Sequence, residues 1–258
     1  MEKKHQTKST SADPFAFPSR VRESLRTFVQ RQEGFDAERV RYLWMHLSGG
    51  GLRAETGDCE ERQGLTVDEW LNVVDEAGAL GVRSVIISSA APLSDHPEIW
   101  DICDWAQNTH DMVVGIYLYG NGFPVSKEDL EAFERLEVGQ TRLFVDGENL
   151  EKAEAIKSMG IPVYNADVFQ SDHERSPCQL PHSMTCVGAE GNMYTCGLVL
   201  GEEGFRLGNV CERRLDAVMD DQSLPHEIPG DVEREPRRCN ACPPLMEKYL
   251  RHGAPEQT

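Results

Sequence analysis

Eight cysteines are the residues of this chain best suited to chemistry: Cys59, Cys103, Cys178, Cys186, Cys196, Cys211, Cys239 and Cys242. Six of them fall in the last third of the 258 residues. Thiolates are soft ligands and suit iron–sulfur clusters and zinc alike. Cys239-Asn-Ala-Cys242 is a CxxC pair, a spacing shared by zinc sites, clusters and redox pairs. A thioredoxin-like redox pair would stand between a strand and a helix of a βαβ unit. This pair instead follows a proline-rich link near the end of the chain. Cys196 ends the second strand of an expected hairpin, and Cys178 stands before the first. The region therefore offers Cys178-x17-Cys196 together with Cys239-x2-Cys242 as a set of four thiols. Cys186 and Cys211 are reserve ligands, each read first as a buried packing residue. Cys103, inside "EIWDICDWA", reads as an inert core thiol.

Composition narrows the setting. A net charge of −18 argues against unaided binding to nucleic-acid phosphates. No apolar run approaches the roughly 20 residues that a membrane span needs. The segment "MEKKHQTKSTSADP" is polar and lacks the apolar middle of a secretory signal. A disordered tail is expected over 1–18. A secreted disulfide scaffold would be shorter, so the clustered cysteines point to metal binding in a reducing cytoplasm.

The elements that must position these thiols follow from hydrophobic periodicity. After an amphipathic helix over Ser19–Gln32, short apolar strands alternate with helices. The strands are expected at 41–47, 83–89, 112–120, 141–147 and 161–168. The helices are expected at 66–81, 96–110, 126–137 and 149–160. Thr66 with Glu69 forms a capping box, Ser126 caps the third of these helices, and Gly81 ends the first. Strands that are continuously apolar belong to a parallel sheet buried on both faces. Ligands of such α/β folds bind at the C-terminal ends of the strands. His46, Asp146, Asn165 and Asp167 are the polar candidates there, and the loop over 48–65 is the longest in the series. From Ser171 the periodicity stops. A hairpin around Gly191-Asn192, the segment "FRLGNV", a short helix near Leu215–Met219 and a last helix after Cys242 make up a cysteine-held region.

On these residues the chain resembles the radical SAM superfamily, in particular members with a C-terminal SPASM or twitch module. "CQLPHSMTCVGAEGNMYTC" is similar to that module's cysteine, strand and Gly-x4-Cys, here Gly191 and Cys196. "FRLGNV" resembles the "LGN" segment that follows, and "CNACP" resembles the CxxC that completes the ligands. The resemblance covers residues 40–250. It implies a partial (βα)6 barrel over 19–170 and a twitch-like module over 171–258. It also implies one auxiliary [4Fe–4S] cluster held by Cys178, Cys196, Cys239 and Cys242, with zinc as the alternative metal. Cysteines that a full SPASM module carries after its CxxC are absent from "PPLMEKYLRHG".

The same resemblance exposes two losses. In the family, the loop after the first strand carries CxxxCxxC, whose cluster binds S-adenosylmethionine. Here "GGLRAETG" matches the family's "CNLRCxxC" through Leu52-Arg53, and Gly50, Ala54 and Gly57 fill the cysteine positions. Cys59 is out of register. The family's Gly-Gly-Glu-Pro loop matches Ser89-Ala90-Ala91-Pro92, with Ala91 in place of the carboxylate. The expectation is an iron–sulfur protein that does not cleave S-adenosylmethionine and is not itself an enzyme. It would serve as a cluster-bearing binding or electron-transfer partner of a catalytic enzyme or redox protein, with no nucleic-acid or membrane partner. The alternatives are an enzyme that has repurposed the barrel cavity, a still active radical SAM-type enzyme with an auxiliary cluster, and a zinc-stabilised module.

Overall fold

The computed structural model describes residues 40–47, 64–123, 125–168, 183–229 and 242–251. All lie in one unit, Glu38–Thr258. The expected tail, the helix over Ser19–Gln32, Cys59, Cys178, Cys239, Gly50, Ala54 and Gly57 lie outside the described residues.

The fold is α/β. One eight-stranded, mostly parallel sheet runs in the order β5-β4-β3-β2-β1-β6-β7-β8. Its strands are β1 Tyr42–His46, β2 Ser84–Ser89, β3 Val113–Leu118, β4 Thr141–Val145, β5 Val163–Asn165, β6 Met184–Val187, β7 Asn192–Tyr194 and β8 Arg206–Asn209. The first six strands are parallel to one another, and β7 and β8 are antiparallel additions. Strands β1 to β4 and β6 are buried at every position, which explains their largely apolar text. The hairpin does not stand apart from the series: β6 pairs directly with β1, Trp44 opposite Cys186. "FRLGNV", which the sequence reading leaves without a conformation, supplies β8.

Helix α1, Val67–Ala79, begins with the expected capping box between Thr66 and Glu69. Helix α2, Ile99–Asp104, runs on as a π-helical turn over Trp105–Thr109. Helix α3, Lys127–Phe133, starts at a second capping box, Ser126 with Asp129. The helix expected over 149–160 survives only as α4, Glu154–Lys157. Before it, Asn149, Leu150 and Ala153 each donate to the carbonyl three residues back, which tightens the chain into 3-10 turns. Helix α5, Leu215–Met219, stands where expected. The last helix is a 3-10 helix, Pro243–Tyr249, and the two prolines that open it fall in the first turn, where a missing N–H costs no helix bond. Among the described residues, no helix is long and apolar enough to cross a membrane.

One face of the sheet is covered by that last helix. Tyr42 and Trp44 of β1, Ile86 of β2, Tyr117 of β3, Phe144 of β4 and Tyr164 of β5 share a core cluster with Met246, Tyr249 and Leu250. The Tyr164 and Tyr249 rings lie 4.5 Å apart. Gly115 has no room for a side chain: an added Cβ would collide with Ile86 Cδ1 and approach Phe144 Cε2 to 2.9 Å. Arg142, buried in β4, donates from Nε to the Tyr249 carbonyl at 3.0 Å and from Nη2 to the Arg251 carbonyl at 3.1 Å. Ser84 Oγ donates to the Leu250 carbonyl at 3.0 Å. The carbonyls of Tyr249 and Leu250, at the buried end of the helix, are thereby given donors.

Two substitutions test this packing. Gly115→Ala forces an overpacked core and is expected to cost about 1–3 kcal/mol. Arg142→Ala leaves the buried Tyr249 carbonyl without its donor and is expected to cost a similar amount, about 1–3 kcal/mol. Urea unfolding should show lower midpoints for both. An Arg142→Ala midpoint equal to that of the parent would mean that the arginine does not hold the helix.

Candidate functional site

The thiols converge on the face that the C-terminal helix covers. Cys186 of β6, Cys196 just after β7 and Cys242 just before Pro243 belong to the same buried cluster. Burial raises the Cys186 thiol well above its ordinary range, and Cys196 and Cys242 add to that rise through their charge. The strands explain the meeting. Pairing of β1 with β6 sets Cys186 beside Trp44, and the short β7 returns the chain so that Cys196 enters from the hairpin's far end. Cys196 and Cys242 are two of the four thiols assigned from sequence. The other two, Cys178 and Cys239, lie outside the described residues. Among the described residues, no three His, Cys, Asp or Glu side chains stand in metal-binding geometry.

Two sequence expectations for single cysteines diverge. Cys186 is fully buried, as expected of a packing residue, but it faces the other thiols. Cys211 is exposed rather than buried, and it is disulfide-bonded. It lies 3.9 Å from Glu69 Oε1, on the capping turn of α1. The cause is β8: Cys211 follows the end of this edge strand, beyond the buried register. A stable disulfide is uncommon in a reducing cytoplasm, the compartment expected from the cysteine clustering. Cys103 is buried in α2 with its thiol pushed up by burial, as expected of an inert core residue.

His46 stands at the C-terminal end of β1 and is buried. Its ring tilts against Trp44 at 4.8 Å between centroids. Its Nε2 is buried and has no hydrogen-bond partner among the described residues. Burial holds its pKa down at about 4, so the imidazole is neutral at pH 7. Nε2 faces Gly197, the residue after Cys196: a Cβ there would lie 2.8 Å from Nε2 and 2.7 Å from Trp44 Cη2. Gly197 is therefore a site residue that sequence reasoning missed, with the glycine after Cys196 as its only signal.

The other three candidates gather on the far side of the sheet, at the ends of β4 and β5. The Asp167 amide donates to Asn165 Oδ1 at 2.9 Å, and Asp167 Oδ2 accepts from the Gly147 amide at 2.9 Å. Asp146 accepts a hydrogen bond from the Tyr117 hydroxyl at 2.8 Å. Its carboxyl is pushed upward, first by burial and further by the charge of Asp167, against the lowering effect of the Tyr117 bond. Tyr117 stacks on Tyr119 at 5.0 Å. Both tyrosines were missed from sequence, although their alternation in "GIYLYG" could have flagged them. Two strands, β2 and β3, separate this group from His46. Ala91, at the matched carboxylate position, closes a tight turn in which its amide donates to Ser89 Oγ at 3.2 Å.

The Asp146 group yields a direct test. Removing the Tyr117 hydroxyl takes away a donor that favours the ionised carboxylate. Tyr117→Phe should raise the Asp146 pKa further, read from carboxyl carbon shifts in an NMR titration. A fall in that pKa would show that the hydroxyl does not donate to Asp146.

No known family profile matches the sequence, and no curated protein does. Solved structures do match in fold. The crystal structure of Streptococcus suis SuiB bound to S-adenosylmethionine superposes with a TM-score of 0.52 at 10% identity, covering 85% of this chain and 72% of that one. A second crystal structure of Streptococcus suis SuiB gives 0.54 at 12% identity, covering 83% and 74%. At this identity the likeness concerns the fold: the chain shares the fold of these SuiB structures.

Proposed function

We propose that the chain is a degenerate radical SAM-like iron–sulfur protein that does not cleave S-adenosylmethionine and serves as a cluster-bearing binding or electron-transfer partner of another protein. The observation that carries this reading is the burial of Cys196 and Cys242 in one cluster within a radical SAM-like fold. What supports the group is the chemistry of the donors: the soft thiols of Cys196 and Cys242 belong to one buried cluster, and the His46 imidazole packs against Gly197 next to Cys196. Cys178, Cys196, Cys239 and Cys242 would hold one [4Fe–4S] cluster, which supplies one-electron chemistry. On this reading residues 19–170 form a partial (βα)6 barrel and 171–258 a twitch-like module. A related fold in SuiB holds S-adenosylmethionine. In this chain Gly50, Ala54, Gly57 and Ala91 offer none of the thiolates or the carboxylate that the family uses for that purpose.

A second reading rests on its own observation. The raised carboxyl of Asp146 beside Tyr117, at the strand ends, favours an enzyme that has repurposed this edge. The two readings part on metal content and on turnover by the isolated chain.

Anaerobic purification with metal and sulfide analysis tests the first reading. About four irons and four sulfides per chain are expected, since a cubane holds that many. Stoichiometric zinc without sulfide would sink it. After reduction with S-adenosylmethionine present, 5′-deoxyadenosine should stay at the level of a protein-free control, and any excess would contradict the proposed loss of function. The disulfide at Cys211 adds a condition. Its partner must be Cys59 if Cys178 and Cys239 are to remain ligands, so non-reducing peptide mapping should recover a Cys59–Cys211 peptide pair.

A further inference from the structure

We propose that the surface where β4 and β5 end docks a basic, aliphatic segment of a partner protein, one that presents arginine or lysine beside apolar side chains. This inference rests on the partner reading above and names the surface that serves it. The surface is assembled around the turn at Gly147. The Gly147 amide donates to Asp167 Oδ2 at 2.9 Å, and its carbonyl accepts from the Leu150 amide at 3.4 Å. Asp146, one residue earlier, accepts from the Tyr117 hydroxyl at 2.8 Å, and Tyr117 stacks on Tyr119. Val168 follows Asp167 in the chain. Val168 is 62% exposed and Leu150 37%, two of the three large apolar side chains exposed among the described residues. Tyr119 is partly buried and packs at the rim of the core cluster. Two aliphatic side chains and an aromatic ring therefore share one turn with carboxylates.

Charge complementarity selects the occupant. Burial pushes the Asp146 carboxyl up, and the charges of Asp167 and Glu148 push it further, against the lowering bonds from Tyr117 and the Gly120 amide. The Tyr119 hydroxyl is raised by burial and then by the charge of Asp146. Lys152, the lysine nearest to this turn in the chain, is engaged with Asn149 Oδ1 at 2.7 Å. A cation brought by a partner offsets the repulsion among Asp146, Glu148 and Asp167, and its aliphatic neighbours cover Leu150 and Val168. A guanidinium also stacks on an aromatic face such as that of Tyr119. An acidic segment would add to the repulsion. A second copy of this chain is disfavoured for the same reason, since each copy carries a net charge of −18.

The test uses the full chain, purified anaerobically with its iron and sulfide counted, and an acetylated, amidated Leu-Arg-Leu-Arg peptide as the probe. In amide NMR spectra the probe should shift the Gly147, Leu150 and Val168 resonances in a saturable way. It should also lower the Asp146 pKa, read from the carboxyl carbon. The same peptide with citrulline in place of arginine, which keeps the shape and removes the charge, should bind more weakly. Asp167→Asn keeps an acceptor for the Gly147 amide and should weaken binding about two- to fivefold, the size of a partly exposed ion pair. Val168→Ser should weaken it as well, and the urea midpoints of both variants should match the parent. Unchanged resonances, or equal binding of the citrulline peptide, would overturn the proposal. So would the same shifts on raising the protein concentration alone, the mark of a second copy. A chain that binds the probe but holds no iron or sulfide keeps this surface and overturns the cluster reading. A chain that holds the cluster and ignores the probe overturns this surface alone.

Discussion

The parallel pairing of β1 with β6 is the contact on which the rest of the arrangement depends. It joins the segment before the glycine-rich loop to the segment that carries the later cysteines, across about 140 residues of chain. Because the register sets Trp44 opposite Cys186, the same pairing chooses which face the thiol occupies. A shift of one residue would turn Cys186, together with Met184, to the opposite face. Everything after β6 inherits its position from this strand: β7 and β8 extend its edge, and Cys196 and Gly197 arrive beside Trp44 and His46.

The face so defined is closed by the chain's own C-terminal helix. Leu250 approaches Gly115 alongside Ile86 and Phe144, Met246 and Tyr249 join the same core cluster, and Arg142 and Ser84 hold the helix end by its carbonyls. A guanidinium is costly to bury, and burial lowers the Arg142 pKa. It is tolerated because its donors meet several backbone oxygens at once: Tyr249, Arg251, Gly139 and Thr141. Cys242 begins this same segment, so the packing that closes the face also delivers a thiol to it.

The two groups of polar chemistry thus sit in different surroundings. Around His46 and the thiols the walls are aromatic and aliphatic, and ionisation is disfavoured for both kinds of group. At the ends of β4 and β5, Asp146 and Asn165 are partly covered and Asp167 is exposed, and backbone amides and a tyrosine hydroxyl donate to them.

The helices and strands near capping boxes and continuous apolar runs were legible from sequence alone, because their signals are local. Thr66 with Glu69 and Ser126 each announce a helix start through bonds that reach only three residues. The α/β class and the mostly parallel sheet also followed, since strands buried on both faces must read as unbroken apolar text. The position of the cysteines in one C-terminal region was equally plain. The tertiary structure alone decided that β6 joins β1, that Cys186 faces Cys196 and Cys242, and that His46 meets Gly197. It also decided that the run after Gly147 tightens into 3-10 turns and that Cys211 lies on the surface. The β1–β6 pairing and the approach of His46 to Gly197 join residues more than a hundred positions apart, and the place of Cys211 depends on an edge strand whose register has no local code. A single sequence encodes which residues prefer burial, but the partner against which each is buried is set only when the sheet assembles.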